Sequence, residues 1–136
     1  MVREIIHDPM FLAKMSEAAT AADLSIGEDL ADTLKAHAHE CVGLAANMIG
    51  VLKRVIVVDA GGACLIMYNP AIVKKREEYT TQEGCLSLAG VRPCRRYQFI
   101  AVRYMDEKFK PQLKSFSGWT AEIIQHEIDH CNGVLI

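Results

Sequence analysis

His126-Glu127-Ile128-Asp129-His130 (HEIDH) is the stretch from which the rest of the chain can be read. On a helix, two histidines four residues apart project from one face about one turn apart, where a single divalent ion can bridge them. Glu127, turned by about 100° from His126, lies beside that face and can act as general base or acid on a water activated there. The flanking sequence fits a helix. At about 100° per residue, Trp119, Ile123, His126, Glu127 and His130 share one sector, Ile124, Ile128 and Cys131 the adjoining one, and Glu122, Gln125 and Asp129 lie opposite. The pattern predicts a largely buried helix that stops at Asn132-Gly133, two residues that tolerate the left-handed conformation. A core helix with merely hydrogen-bonded histidines is the competing reading, and the glutamate between the histidines weighs against it.

A two-histidine site needs another protein ligand. In the HExxHxxGxxH pattern it lies six residues past the second histidine; that position here is Ile136, although Gly133 matches. The ligand is then Cys131, in the apolar sector next door, or an upstream residue. Upstream, the best candidate is Cys85 in Glu83-Gly84-Cys85-Leu86-Ser87, where Gly84 lets the backbone turn and approach the helix closely. Cys64 reads as core, and Cys94, beside Arg95-Arg96, as a loop residue. His37 and His39, two apart, point to different sides and read as a solvated helix end. One cysteine and two histidines leave one tetrahedral position for water or substrate, the arrangement of a catalytic site. The implied chemistry is hydrolysis of a carbonyl compound, with the thiolate softening the Lewis acid while a bound water still titrates towards neutrality.

Earlier in the chain, Phe11, Met15 and Ala18 recur at helical spacing and predict a short helix within 10–22. Ser25 and Glu28 form a capping-box pattern ahead of Ile26, Leu30, Leu34, Ala38 and Cys41, which predicts a second helix. Cys41-Val42-Gly43-Leu44-Ala45-Ala46-Asn47-Met48-Ile49-Gly50 is small and apolar, suited either to a substrate wall or to a tightly packed interior turn. Strands are expected at 54–59 and 64–68 around a Gly61-Gly62 turn, with Asn69-Pro70 closing the second. Short strands at 71–75 and 77–81, then 99–105 and 112–116, complete the middle. Helices first, antiparallel strands next and a helix last give an α+β fold without the βαβ rhythm of a nucleotide-binding sheet.

At 136 residues, one domain spanning 1–136 is expected. A formal charge of −2 offers no basic field for nucleic acid or anionic lipid, and there is no direct nucleic-acid motif. No apolar run approaches the roughly 20 residues of a membrane span, and Met1-Val2-Arg3-Glu4 opens no signal peptide, so a cytoplasmic location is expected. Five scattered cysteines without a CxxC pair fit a reducing compartment.

Three motifs in order resemble those of the peptide deformylase family over most of the chain. Gly43-Leu44-Ala45-Ala46 resembles its GxGLAAxQ, Glu83-Gly84-Cys85-Leu86-Ser87 its EGCLS, and Gln125 to His130 its QHExDH. The resemblance implies that Cys85, His126 and His130 bind one divalent metal, ferrous iron (Fe2+) in the cell with zinc, nickel or cobalt able to replace it, and that Glu127 is the catalytic acid/base. By the same resemblance Val42, Gly43, Leu44, Cys85 and Leu86 line a groove where substrate backbone pairs as an added strand. The Leu86 N–H would face the developing oxyanion and Arg92 the substrate's carbonyl, while Ile123 and the loop around Ile49 would border the methionine side chain. The departures are specific. Met48 stands where the family has an oxyanion-stabilising glutamine, Asn47 replaces the usual proline, Cys41 the first glycine and Ala89 a frequent proline, and the chain ends soon after the metal helix. The function expected is metal-dependent removal of the formyl group from the N-terminal formyl-methionine of nascent polypeptides, free or at the ribosome. The alternatives are a catalytically weakened relative that binds N-terminal methionine peptides or acts on another amide, and an HExxH endopeptidase.

Overall fold

A computed structural model describes residues 1–136. The elements run α1 (Pro9–Leu12), α2 (Leu24–Ala36), β1 (Gly43–Ala45), β2 (Val55–Asp59), β3 (Cys64–Gly84), β4 (Val91–Met105), β5 (Pro111–Ser117) and α3 (Gly118–Cys131), with 3-10 turns at Ala21–Asp23 and Ala46–Ile49. The strands form one antiparallel sheet in the order β1-β2-β3-β4-β5, each pairing with its neighbour in sequence. Every consecutive residue of Val55–Val58 is fully buried. Since neighbours in a strand point to opposite faces, β2 is covered on both, and its helical neighbours are α2 and α3. The expected α+β arrangement, antiparallel strands packed around a C-terminal helix, is therefore present.

Several boundaries differ from the sequence reading, each for a tertiary reason. Asn69-Pro70 does not close a strand: β3 continues to Gly84, absorbing Pro70 in an irregularity between Tyr68 and Ala71. There Asn69 adopts φ 53°, and its side chain exchanges two hydrogen bonds with the backbone of Ala19, accepting at 2.7 Å and donating at 2.9 Å. The 71–75 and 77–81 segments are parts of this one strand, paired with a β4 that begins at Val91. The helix expected within 10–22 is confined to α1, capped by Asp8, whose side chain accepts from the Met10 N–H at 3.0 Å. Beyond it the backbone is engaged elsewhere: Ser16 donates to the Cys131 carbonyl, and Glu17 exchanges bonds with Leu52 and Arg54. The capping box sits at Thr20 and Asp23, not at Ser25 and Glu28, because a 3-10 turn feeds directly into α2. Cys64, at the exposed mouth of the Gly61-Gly62 turn, is not core, and Cys94 lies in β4 opposite Thr81.

The end of α3 matches the expectation. Gly133 takes φ 75°, its N–H donates to the His130 carbonyl and that of Val134 to Asp129, each at 3.0 Å, a Schellman closure. Arg54 reinforces it from β2's entrance, donating to the Cys131 carbonyl at 3.1 Å and to Asn132 Oδ1 at 2.8 Å. The cluster on this helix thus sits on an element fixed at its C-terminal end.

Candidate active site

α3 carries His126 and His130 one turn apart, and the segment after β3 brings Cys85 to meet them; their ligand atoms lie within 4.8 Å of one another. His130 Nε2 is 3.1 Å from His126 Nε2 and 3.4 Å from Cys85 Sγ. Tetrahedral ligation at ordinary bond lengths places such donors roughly 3.3–3.6 Å apart. His126 Nδ1 donates to Glu83 Oε1 at 2.7 Å, which fixes its tautomer and turns the Nε2 lone pair toward His130. Two imidazole nitrogens so placed repel unless a proton or a cation lies between them. Burial opposes charge on His126, but the hydrogen bonds to Cys85 and Glu83 outweigh it and push this group up to about 10. Burial, and then the neighbouring His126, push His130 down to about 3. The donor set and its spacing fit a divalent ion of the zinc or iron kind. Cys131, the alternative third ligand, is buried outside this group, and His37 is held instead by Glu40 at 2.7 Å.

Around the donors is a charged web that the sequence reading did not assign. Arg96 on β4 makes a two-pronged contact with Glu83, with Nε to Oε2 at 3.0 Å and Nη2 to Oε1 at 2.7 Å, and donates from Nη1 to Asp129 at 2.8 Å. Burial disfavours the Glu83 carboxylate, yet the bonds from His126 and Arg96 prevail and hold it well below the usual range. Gln125 ties the same helix to β4 through both backbone groups of Tyr97, at 2.8 and 2.9 Å. So the face of α3 expected to be opposite the site is not a solvent face: Gln125 is buried, Asp129 is ion-paired and Glu122 lines the cavity. A helical projection gives the side of a polar residue; only the strand beside it supplies the partner.

Glu127 is buried beside the donors, and its approach depends on Gly43. A Cβ at position 43 would lie 2.8 Å from Glu127 Oε2 and 2.7 Å from Ile123 Cγ2, so β1 can pass this close only as glycine. Burial pushes the Glu127 carboxyl up to about 7, and the nearby His126 pulls it the other way. Glu127 Oε1 and Ser87 Oγ, which face the cleft, are buried without a protein partner and can meet another molecule, and His130 Nδ1 is unpartnered behind them.

The site opens into a cavity of about 730 Å³. Val42, Gly43, Met48, Cys85, Leu86, Ile123, His126 and Glu127 are in its wall; His130 is fully buried behind them. Leu44 points its side chain into the core, and Arg92, whose Nη1 donates to the Ala89 carbonyl at 3.4 Å, is not in the wall. Met48, only 1 % exposed, accepts the Ala45 N–H on its sulfur at 3.5 Å and offers no donor. His7, Glu40 and Glu122 are further lining residues that sequence reasoning missed, because nothing local marks them, and Trp119, placed by its helical spacing in the histidines' sector, lines the cavity too.

Two histidines and a cysteine converging beside a buried glutamate, in a cleft at the edge of a sheet, define a mononuclear metallohydrolase class of site. Residues 3–136 match the family model of polypeptide deformylase, and the chain belongs to that family. A peptide deformylase of Clostridium beijerinckii is 48% identical over 136 residues, covering 100% of both chains. Among solved structures, a peptide deformylase from Legionella pneumophila matches with a TM-score of 0.88 and 35% identity, covering 99% of this chain and 83% of that one. A class I type b peptide deformylase from Acinetobacter baumannii, in a structure bound to Met-Ala-Ser, matches with a TM-score of 0.87 and 27% identity over 99% and 97% of the two chains. The chain is thus a metal-dependent hydrolase that deformylates nascent peptides, and nothing in these likenesses favours a weakened, non-deformylating relative. No helix is long and apolar enough to cross a membrane.

Proposed function

We propose that Cys85, His126 and His130 hold one divalent ion, ferrous iron in the cell, and that Glu127 is the proton carrier for hydrolysis of the formyl group of N-formyl-methionine peptides. The observation that carries this is the convergence of the three donors beside buried Glu127 on the wall of the cavity. When bound, the ion supplies a Lewis acid for the formyl oxygen and lowers the pKa of water. The chain's own residues do the rest. Peptide backbone adds along the outer edge of β1 and the Val42 that precedes it, since β1 ends the strand order. The methionine side chain lies against Met48, Leu88 and Ile123. The Leu86 N–H makes no hydrogen bond within the protein and is a donor for the oxyanion as its charge develops. Glu127 takes a proton from the attacking water and returns it to the leaving amine; its burial favours holding that proton.

Glu83 and Arg96 act behind the ligands. Glu83 orients His126, and Arg96 neutralises Glu83 while holding it to α3 through Asp129. The substrate is a nascent chain in the cytoplasm, free or at the ribosome. The test is formate release from formyl-Met-Ala-Ser by protein loaded anaerobically with ferrous iron, with and without a chelator. Turnover lost on chelation and restored by iron is the expected result; turnover indifferent to chelation overturns the reading. Metal content after anaerobic purification tests the assignment of iron.

A further inference from the structure

α3 sends a line of side chains along the cavity: His126, then Glu122 and Ile123 a turn earlier, then Trp119. At 1.5 Å per residue, Glu122 and Trp119 lie about 6 and 10 Å from His126 along the axis. A carboxylate in the second of these places is unexpected for a pocket that takes only an apolar side chain. The Tyr79 hydroxyl donates to Glu122 Oε1 at 3.1 Å, and the Glu83 carboxylate lies beside it. Burial and this neighbour raise the Glu122 carboxyl, so a cation arriving there would offset the crowding of like charge. No lysine or arginine lines the cavity, and Arg96, the one guanidinium nearby, is divided between Glu83 and Asp129. Glu127 Oε1 and Ser87 Oγ, on residues more than nine-tenths buried in the same wall, have no protein partner, so the cavity is already furnished for polar ligand groups. Trp119, 62 % exposed, presents an aromatic ring at the open end of the line.

We propose that Glu122 is a specificity-determining residue that extends the first-residue pocket to N-formyl-lysine peptides. The unbranched lysine stem follows the path of methionine, and its ammonium pairs with the Glu122 carboxylate beside the Trp119 ring. The reaction is the same hydrolysis: water oxygen bonds to the formyl carbon, the C–N bond breaks, and formate and a free lysine α-amine leave. The inference rests on the deformylase reading of this cavity.

Four peptides test it on the iron-loaded enzyme: formyl-Met-Ala-Ser, and its analogues beginning with norleucine, lysine and Nε-acetyl-lysine. Formyl-lysine is expected to be cleaved with a kcat/KM within about tenfold of norleucine, and acetyl-lysine on the order of ten- to a hundredfold less well than lysine, the cost of losing a charged hydrogen bond. Glu122→Gln and Glu122→Leu should each shift the lysine-to-norleucine ratio against lysine by a similar factor. A reading independent of turnover comes from Trp119, the sole tryptophan: Lys-Ala-Ser should perturb its fluorescence at lower concentration than Nε-acetyl-Lys-Ala-Ser in the wild type, and lose that advantage in Glu122→Gln. Cleavage of formyl-Met with equal rejection of lysine and acetyl-lysine overturns this proposal alone. No cleavage of formyl-Met overturns the deformylase reading beneath it.

Discussion

Glu127 and Met48 bear most directly on the chemistry, and both were legible as letters in motifs. With Oε1 unpartnered and Oε2 against Gly43, Glu127 makes little structural use of its charge. Glu127→Gln should therefore keep metal content and melting temperature while lowering formate release by about 10²- to 10⁴-fold, the usual worth of a positioned acid/base; a variant that stays active would remove Glu127 from the mechanism. Met48 is a different case, because its sulfur already accepts the Ala45 N–H. A glutamine there can accept the same bond through its oxygen and turn its amide donor into the cavity. Since one such donor contributes about 10²- to 10³-fold elsewhere, Met48→Gln should raise kcat by tenfold or more with little change in KM. An unchanged kcat would mean that the backbone donors suffice. Arg96 and Glu122 were not legible, and Gln125 and Asp129 were legible only as letters of a motif: the role of each comes from a strand or cavity distant in sequence.

At the level of elements, the site depends on two places where strands meet α3. One is the glycine contact. Gly43→Ala puts a methyl into Ile123 and Glu127, so it should destabilise by about 1–3 kcal/mol through overpacking, read as a lower urea midpoint, and cut formate release further than the loss of folded protein explains. The other is the Arg96 clamp joining β3, β4 and α3. Arg96→Met leaves two carboxylates without their partner, at a cost on the order of 3–5 kcal/mol, and loosens Glu83 behind His126, so metal affinity should fall by about ten- to a hundredfold. Adding Glu83→Gln to Arg96→Met should recover part of the stability and none of the affinity; recovery of both would mean that Glu83 does not orient the ligand. β2 was legible as an apolar run leading into a glycine turn, and the end of α3 from its turn chemistry. The N-terminal region was not, because the backbone of Ser16 and Glu17 is bonded to Cys131, Leu52 and Arg54. Likewise β3 looked like three short strands because Asn69-Pro70 reads as a stop, when Asn69 instead replaces the lost ladder bonds with side-chain bonds to Ala19.

Across the whole molecule, Cys85 follows the central strand β3 while the histidines lie on α3, beyond β5, so metal binding and folding are coupled. A ligand set that forms only in the folded chain stabilises it in proportion to metal concentration: holding the free ion at a hundred times its dissociation constant adds about 2.7 kcal/mol, which for a domain of this size raises the melting temperature on the order of 10 °C. Calorimetry with and without a chelator measures this directly. The effect should weaken on acidification, because the ion requires neutral imidazoles and a thiolate and protons compete for the same atoms; metal release as the pH falls, followed by ultrafiltration, checks the sign. Cys85→Ser separates metal from fold. Half-buried and outside the strands, it should melt close to the metal-free wild type and gain little on addition of zinc or iron. If Cys85→Ser instead melted far below the metal-free protein, the cysteine would be a packing residue; if it kept the full metal-induced rise, the ion would be held elsewhere. The expected pattern, a near-normal metal-free melt with no rise, requires that the approach of the sheet to α3 is set by Arg96, Glu83 and Gly43, and that the ion occupies a place those residues have already shaped.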